Sequence, residues 1–313
     1  MHKQRLWADL TLFSVAVIWG SAFVVQRIAA MEIGVFIFNG SRFLVGALVI
    51  LPLAGLSITR HERRWRLEKK PFTLFSKKNI LAILAAGLIM TGGSAFQQAG
   101  LKYTTAGNAG FITGLYVVLI PILLTLIWRR RPRPMIWVAA LFAVVGLFLL
   151  STGGQMRINL GDALVLVSAV FWAFHVLLIS WSVQRMDAIQ FACGQYLVCG
   201  LTSLAIGLIL EPVSSTPVIE LWRVIAYMGI ISVGLGYTLQ AVGQRVAPPA
   251  DAAIILSLEA VMAAFFGWIF LGESLAPLQL LGCGIMLAGM LLAQSDVIFG
   301  ARRQSFNSED SCA

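Results

Sequence analysis

Ten apolar runs follow one another along this chain, and most of the charged residues lie between them. A helix rises about 1.5 Å per residue, so about 20 apolar residues are enough to cross the hydrocarbon core of a bilayer. The pattern therefore predicts an all-α integral membrane protein with short connections. The predicted spans are 9–29, 34–56, 79–101, 106–127, 135–151, 162–182, 189–210, 222–242, 250–271 and 276–295.

The chain carries two copies of one unit. Residues of the first two spans recur 153 positions later, and residues of the third to fifth spans recur 143 positions later. The predicted domains are 10–151 and 162–295, five spans each, followed by a tail at 296–313. Duplicated helical membrane domains are typical of transporters. Matching pairs include Trp19 with Trp172, Phe38 with Phe191, Gln97 with Gln240, Asn108 with Asp251, Pro134 with Pro277 and Gly146 with Gly289.

Basic residues collect on alternate connections. The segments 57–78 and 129–133 hold eight and four of them, whereas their repeat counterparts 211–221 and 272–277 hold none. The positive-inside rule then predicts that both termini are cytoplasmic. Because five spans is an odd number, the second copy must enter the membrane from the opposite face, so we expect ten helices in two inverted repeats. A substrate path is expected at the midplane, where the inverted halves meet.

Composition supports a membrane protein and limits other interpretations. Hydrophobic residues make up 59% and charged residues 12% of the chain, against roughly 25% charged in soluble domains. The net charge of +9 lies in the connections, so it indicates orientation and not nucleic-acid binding. Lys3 and Arg5 before the first run also fit a signal peptide, but that run has a counterpart in mid-chain, which favours a structural span. The four cysteines lack the spacing of a disulfide framework or metal site.

Short motifs then indicate a family. Residues 19–23 read WGSAF, residues 247–253 read APPADAA and residues 257–260 read SLEA. With the two copies, they resemble the EamA-type members of the drug/metabolite transporter superfamily. The resemblance implies a ten-span permease in a bacterial inner membrane, commonly an exporter of metabolites, amino acids or drugs. Family members often have Pro after the ninth-span Glu, where this chain has Ala260.

Two ionisable residues stand deep inside predicted spans. Glu259 lies about 13 Å into the ninth span, near the bilayer centre. It is either a proton-coupling or cation-binding group or a neutral carboxyl that ties helices together. Arg42 lies about 12 Å into the second span and needs a carboxylate or carbonyl partner. Its counterpart is Gln195, which is consistent with a specific task such as holding a carboxylate, but an anchor between helices is the favoured interpretation.

The remaining polar and aromatic positions suggest a cavity. Trp19 and Trp172 are equivalent and fall in mid-span, where they either line a pocket or pack together. His175 is either a proton relay to Glu259 or a packing group. Helix capping is expected at Asn108 and Asp251, and Pro121 predicts a kink. The predicted substrate-binding residues are Trp19, Arg42, Gln97, Tyr116, Trp172, His175, Gln240 and Glu259, with Tyr116 at the repeat position of Glu259.

The sequence lacks the motifs of phosphate, dinucleotide and zinc-peptidase sites. We therefore predict no enzyme, no cofactor and no metal, but a secondary transporter with a midplane cavity and alternating access. The expected partners are a small solute and the bilayer, without nucleic acid, and a homodimer is left open. The alternative is a non-transporting membrane protein, such as an embedded enzyme or an assembly factor, on a carrier scaffold.

Overall fold

The computed structural model describes residues 2–68, 76–127, 129, 132–152, 159–212, 219–271 and 276–293, and the regular structure in these ranges is helical. The predicted tail lies outside them. The α-helices are α1 (His2–Glu32), α2 (Val35–Glu68), α3 (Lys77–Gly100), α4 (Ala106–Gly114), α5 (Tyr116–Leu126), α6 (Pro134–Thr152), α7 (Leu160–Ser182), α8 (Ala188–Leu210), α9 (Trp222–Tyr227), α10 (Thr238–Gly243), α11 (Pro249–Leu256), α12 (Glu259–Leu271) and α13 (Pro277–Ala293), with a π-helix at Met228–Tyr237.

These elements confirm the predicted fold class. Within the described ranges, eight helical segments are long and apolar enough to span a bilayer, and the shorter apolar helices Pro134–Leu150 and Pro277–Ala293 complete the ten spans. One boundary differs from the prediction: α2 continues to Glu68, into the charged segment expected to be a connection. Arg and Glu are good helix formers, so the hydrogen-bond ladder continues where the apolar pattern stops.

The fourth and ninth spans are both broken at the same repeat position. Leu115 separates α4 from α5, and Ser257 with Leu258 separates α11 from α12. The amides of Leu115 and Leu258 each donate to the carbonyl three residues earlier, at 3.2 Å, which is a tight 3₁₀-type turn. The interruption in the fourth span precedes Pro121, and the one in the ninth span forms without a proline at position 260. Broken spans near the midplane are typical of transporter binding sites.

The eighth span departs from the repeat. Its central part, Met228–Tyr237, is a π-helix, whereas the counterpart 85–94 lies within the regular helix α3. Extended π segments are rare and are frequent at functional sites. In this chain the segment supplies Ser232 and Tyr237 to the centre of the molecule.

The packing of the helices follows the symmetry of the two repeats. α2 packs on its counterpart α8, α6 packs on its counterpart α13, and α1 packs on the eighth span as α7 packs on α3. Asp9 and Asp162 occupy the same position of the two repeats. Asp9 pairs with Arg5, which also contacts Asp251. Asp162 accepts a hydrogen bond from Thr104 at the opposite end of the bundle. Equivalent residues at opposite ends are what an inverted duplication requires, so the predicted inversion is confirmed.

Two glycines allow the close helix contacts that frame the centre. A Cβ on Gly20 would lie 2.4 Å from Cβ of Met262 in α12, and a Cβ on Gly229 would lie 2.5 Å from Cγ1 of Val45 in α2. Neither distance is possible for a real side chain. α1 therefore packs on α12 next to Glu259, and the π-helix packs on α2 next to Arg42.

Candidate substrate cavity

A cavity of about 40 Å³ lies at the centre of the bundle, between the two repeats. Its walls come from both broken spans and from α1, α2, α3, α7 and the eighth span. The cavity is narrow, because the part that a water-sized sphere can enter would hold only a few water molecules. The lining residues are Trp19, Phe23, Gln26, Arg42, Gln97, Thr113, Tyr116, Trp172, Val176, Ser232, Tyr237, Gln240, Leu256 and Glu259.

The lining is built largely from repeat-equivalent pairs. Ten of these residues form five such pairs, so the cavity lies on the pseudo-two-fold axis. The other four have chemically different counterparts outside the lining: an isoleucine for Gln26 and Ser232, a glutamine for Arg42 and a serine for Tyr237. The five pairs are Trp19 with Trp172, Phe23 with Val176, Gln97 with Gln240, Thr113 with Leu256, and Tyr116 with Glu259.

Glu259 and Tyr116 meet inside this cavity. Each is the first residue after the break in its span, and the Tyr116 hydroxyl donates to Oε1 of Glu259 at 3.3 Å. Glu259 is 3% exposed and has no ion-pair partner among the described residues. The N-terminus of α12 offers the positive end of a helix dipole to the carboxyl. The second oxygen of Glu259 is therefore available to a cationic group of a solute or to a proton.

Arg42 is a buried cation without a carboxylate partner among the described residues. Nη1 donates to Oε1 of Gln26 at 3.0 Å, and the guanidinium stands 5.2 Å and 5.0 Å from the ring centres of Phe38 and Phe43. Nε has no hydrogen-bond partner in the described residues. Cation–π contacts and one amide stabilise the charge only in part, so the guanidinium is suited to bind an anionic group that enters the cavity.

Three aromatic side chains form one wall. Tyr237 lies between the two equivalent tryptophans, with ring centres 4.6 Å from Trp19 and 5.8 Å from Trp172. The indole of Trp19 donates to the carbonyl of Ser232 in the π-helix at 3.3 Å. The tryptophans therefore do not pack directly on each other but are bridged by a residue that has no aromatic counterpart in the first repeat.

Neutral polar groups complete the lining. Gln97 donates through Nε2 to Thr113 Oγ1 at 3.1 Å, which leaves its carbonyl oxygen to face other partners. Oε1 of Gln240 and Nε1 of Trp172 are buried without a partner in the described part of the chain. Buried polar atoms are normally hydrogen-bonded, so a free acceptor and a free donor here suit the polar groups of a solute.

His175 lies outside the cavity lining. Its imidazole is fully buried, Nε2 lies 2.9 Å from Oε1 of Gln195, and its ring stands edge-on to Trp172 with 5.6 Å between the ring centres. It therefore supports Trp172 from behind. The remaining predicted residues, which are Trp19, Arg42, Gln97, Tyr116, Trp172, Gln240 and Glu259, all line the cavity.

An ion cluster closes one end of the bundle. Asp251 accepts from Arg5 at 2.8 Å and from Arg133 at 2.9 Å, and Arg5 also pairs with Asp9 at 2.9 Å. The expected capping role of Asp251 is therefore wrong: the residue before α11 is Pro248, and the carboxylate joins helices of both repeats instead.

In the first repeat the N-cap of α4 is Thr105, whose hydroxyl accepts from the amide of Asn108.

The opposite end is held by contacts of another kind. The Thr104 hydroxyl donates to the carboxylate of Asp162, and Glu211 at the end of α8 accepts from the amides of Phe36 and Ile37 at the start of α2, each at 2.9 Å. Both contacts join the two repeats. They contain no arginine, so the two ends of the bundle are held by chemically different interactions.

Three lining residues whose counterparts lie outside the cavity were not predicted from the sequence: Gln26, Ser232 and Tyr237. Each departs from its repeat counterpart, which is Ile179, Ile89 and Ser94 respectively. A search for polar residues opposite an apolar or smaller counterpart would have found all three. In the described residues no cluster of three or more metal-binding side chains is found.

Comparisons with known proteins agree with this architecture. The EamA-like transporter family model matches residues 6–152 and again residues 159–294. A solved crystal structure superposes with a TM-score of 0.71 at 17% identity, covering 92% of this chain and 98% of the other, which shows a shared fold.

Several relatives of full length are similar in sequence. An uncharacterized transporter of Archaeoglobus fulgidus is 33% identical over 298 residues, covering 92% of this chain and 86% of the relative. The threonine/homoserine exporter RhtA of Escherichia coli K12 is 28% identical over 304 residues, covering 93% and 92%. The uncharacterized transporter YwfM of Bacillus subtilis is 28% identical over 305 residues, covering 93% and 94%. Two family matches, ten spans and an axial cavity lead to one conclusion: this multi-pass membrane protein belongs to the EamA-like transporter family.

Proposed function

We propose that this transporter exports small zwitterionic amino acids across a bacterial inner membrane, with both termini cytoplasmic. The observation that carries the proposal is that Arg42 and Glu259 line the same cavity and that neither has an ion-pair partner among the described residues. Arg42 would bind the solute carboxylate, and Glu259 would bind the ammonium group.

The charge pattern favours a zwitterion over other solutes. A buried charge is costly unless it is paired, and a solute with both charges compensates both protein groups at once. A purely cationic drug would leave Arg42 uncompensated, and a simple carboxylate would leave Glu259 with Tyr116 alone. Gln97, Gln240 and Trp172 offer hydrogen bonds to a polar side chain such as a hydroxyl. That RhtA exports threonine and homoserine in Escherichia coli supports this solute class.

Alternating access would follow from the two ends of the cavity. The narrow cavity requires its helices to separate before an amino acid can enter. At the end that the loop charges predict to be cytoplasmic, separation breaks the contacts of Asp251 with Arg5 and Arg133. At the other end it breaks the contacts of Asp162 and Glu211. Rocking of one repeat against the other would open one end at a time.

Glu259 would couple this cycle to protons. When the ammonium group leaves, the buried carboxylate loses its counter-charge, and a proton is the simplest replacement. Binding of solute and binding of proton would then exclude each other at this carboxyl, which produces export of solute against entry of a proton.

Proteoliposomes loaded with labelled threonine test the proposal. Threonine efflux should be blocked neither by threonine methyl ester, which lacks the carboxylate, nor by 2,3-dihydroxybutyrate, which lacks the ammonium group, at tenfold excess. Homoserine should compete. If the methyl ester competes as well as homoserine, Arg42 does not bind the solute carboxylate. The absence of flux for every amino acid would overturn the proposed solute class.

A further inference from the structure

A second cavity, distinct from the substrate cavity, opens between α3, α5 and α7. It measures about 1050 Å³ and is bounded at one end by Gln244–Pro249. α5 packs on α6, α7 and α11 but has little contact with α3, so the cavity lies between these two helices. The apolar lining residues are Leu81, Ala82, Ile89, Leu124, Phe174, Leu177, Leu178, Trp181, Val246, Ala247, Pro248 and Pro249.

The cavity opens toward the bilayer. Leu81 in the span α3 and Val246 in the turn after α10 line it and are 56% and 46% exposed, so its apolar lining is open at the surface of the bundle, where lipid surrounds a membrane-spanning helix. Water would not fill such an apolar cleft favourably. Its natural occupant is hydrocarbon, and the surrounding membrane supplies acyl chains.

The polar part of the lining has one sign of charge. Lys78 at the start of α3 and Arg185 after the end of α7 both line the cavity, and its lining contains no acidic residue. The Arg185 guanidinium stacks on Trp181 with 4.0 Å to the ring centre, which keeps it at the mouth. Both residues lie at helix ends, where the headgroups of a bilayer begin, on the face that the loop charges predict to be cytoplasmic.

We propose that this cavity binds an anionic phospholipid of the adjacent leaflet. One acyl chain would fill the space between α3, α5 and α7, and the phosphate would lie between Lys78 and Arg185. Basic pockets between membrane helices on the cytoplasmic side recognise anionic headgroups in this way. Bound lipid would replace the packing that α3 and α5 do not supply to each other. The proposal does not depend on the identity of the transported solute.

Lipid titration of the purified protein, followed by native mass spectrometry, tests this inference. Phosphatidylglycerol should bind to the protein as a discrete complex more tightly than phosphatidylcholine. The double variant Lys78→Gln with Arg185→Gln should lose about 25-fold in phosphatidylglycerol affinity, since each basic side chain near an anionic headgroup contributes about fivefold. Lys77→Gln is the matched control, because Lys77 is adjacent and exposed but does not line the cavity.

A third variant distinguishes binding inside the cavity from binding of lipid to surface charge. Ala82→Phe fills the acyl-chain space without changing charge and should also weaken phosphatidylglycerol binding. Its melting temperature without lipid, compared with that of the unmodified protein, verifies that it folds. Loss of affinity in Lys77→Gln equal to that in the double variant would overturn the site. So would equal binding of the two lipids, stabilisation by inorganic phosphate alone, or unchanged binding in a folded Ala82→Phe protein.

Discussion

The hydroxyl of Tyr116 donates a hydrogen bond of 3.3 Å to Oε1 of Glu259, and the two residues occupy the same position of the two repeats. Each follows directly after the break in its span. A phenol on one side of the axis thus meets a carboxyl on the other, in a cavity whose remaining equivalent pairs are mostly similar in chemistry.

Glu259→Gln should reduce amino-acid flux about 30-fold, because a neutral amide replaces a charged hydrogen-bond partner of the solute. It should also flatten the dependence of flux on pH, since the amide does not take up a proton. Flux in proteoliposomes at several pH values measures both effects. Tyr116→Phe removes only the supporting hydrogen bond and should cost about fivefold while the pH dependence remains. An unchanged pH profile in Glu259→Gln would exclude this carboxyl as the coupling group.

Arg42→Gln should raise the KM for threonine about 30-fold, because the guanidinium supplies a charge-assisted hydrogen bond of about 2 kcal/mol to the carboxylate. Arg42→Lys keeps the charge and should recover part of this loss. Transport kinetics with labelled threonine give the values. Arg223→Gln is the control, because Arg223 is an exposed arginine at the start of the eighth span. If Arg42→Gln and Arg223→Gln behave alike, Arg42 is not a recognition group.

Asp251→Asn should open the end of the bundle that carries Arg5. The substitution replaces the carboxylate with a neutral amide, so the ion pairs with Arg5 and Arg133 are lost. A cysteine placed at Thr113, in a protein whose native cysteines are replaced by alanine, reports access to the cavity. Its modification by an impermeant thiol reagent from that side should accelerate about fivefold, which corresponds to about 1 kcal/mol.

Thr104→Val is the matched variant for the other end of the bundle, where it removes the hydrogen bond to Asp162. It should accelerate modification of the same cysteine from the opposite side of the membrane. Faster modification from the same side in both variants would show general loosening and would contradict separate closures at the two ends.

Gly20→Ala should destabilise the protein by about 1 to 3 kcal/mol, because the added Cβ would lie 2.4 Å from Cβ of Met262. Thermal unfolding in detergent gives the comparison. Gly284→Ala should have little effect, since no atom stands within 4 Å of a Cβ at that position. Equal melting temperatures of the two variants would show that α1 and α12 can move apart without cost.

Much of the fold follows from the sequence by counting. Span length and loop charge are local properties, and an odd number of spans in a duplicated chain leaves inversion as the consistent arrangement. The repeat also placed Tyr116 opposite Glu259 and Trp19 opposite Trp172, because residues that lie close to the axis of an inverted pair also lie close to their repeat equivalents.

The features that the sequence did not predict depend on tertiary contacts. Asp251 lies in the first turn of its helix, where capping is the local expectation, but two arginines from distant spans reach its carboxylate. His175 and Trp172 are three residues apart on one helix, yet only Trp172 lines the cavity. The π-helix that brings Tyr237 between the tryptophans has no signal in hydrophobic periodicity, since α- and π-turns use the same apolar residues.

The pseudo-two-fold axis has a consequence for the direction of transport. Turning the molecule over about this axis maps each repeat onto the other and exchanges the two faces of the membrane, so the helix framework itself does not distinguish inward from outward movement. Any preference for one direction has to arise where equivalent residues differ, such as Glu259 against Tyr116 or Arg42 against Gln195. Vectorial behaviour would then be encoded by a few side chains and not by the architecture that carries them.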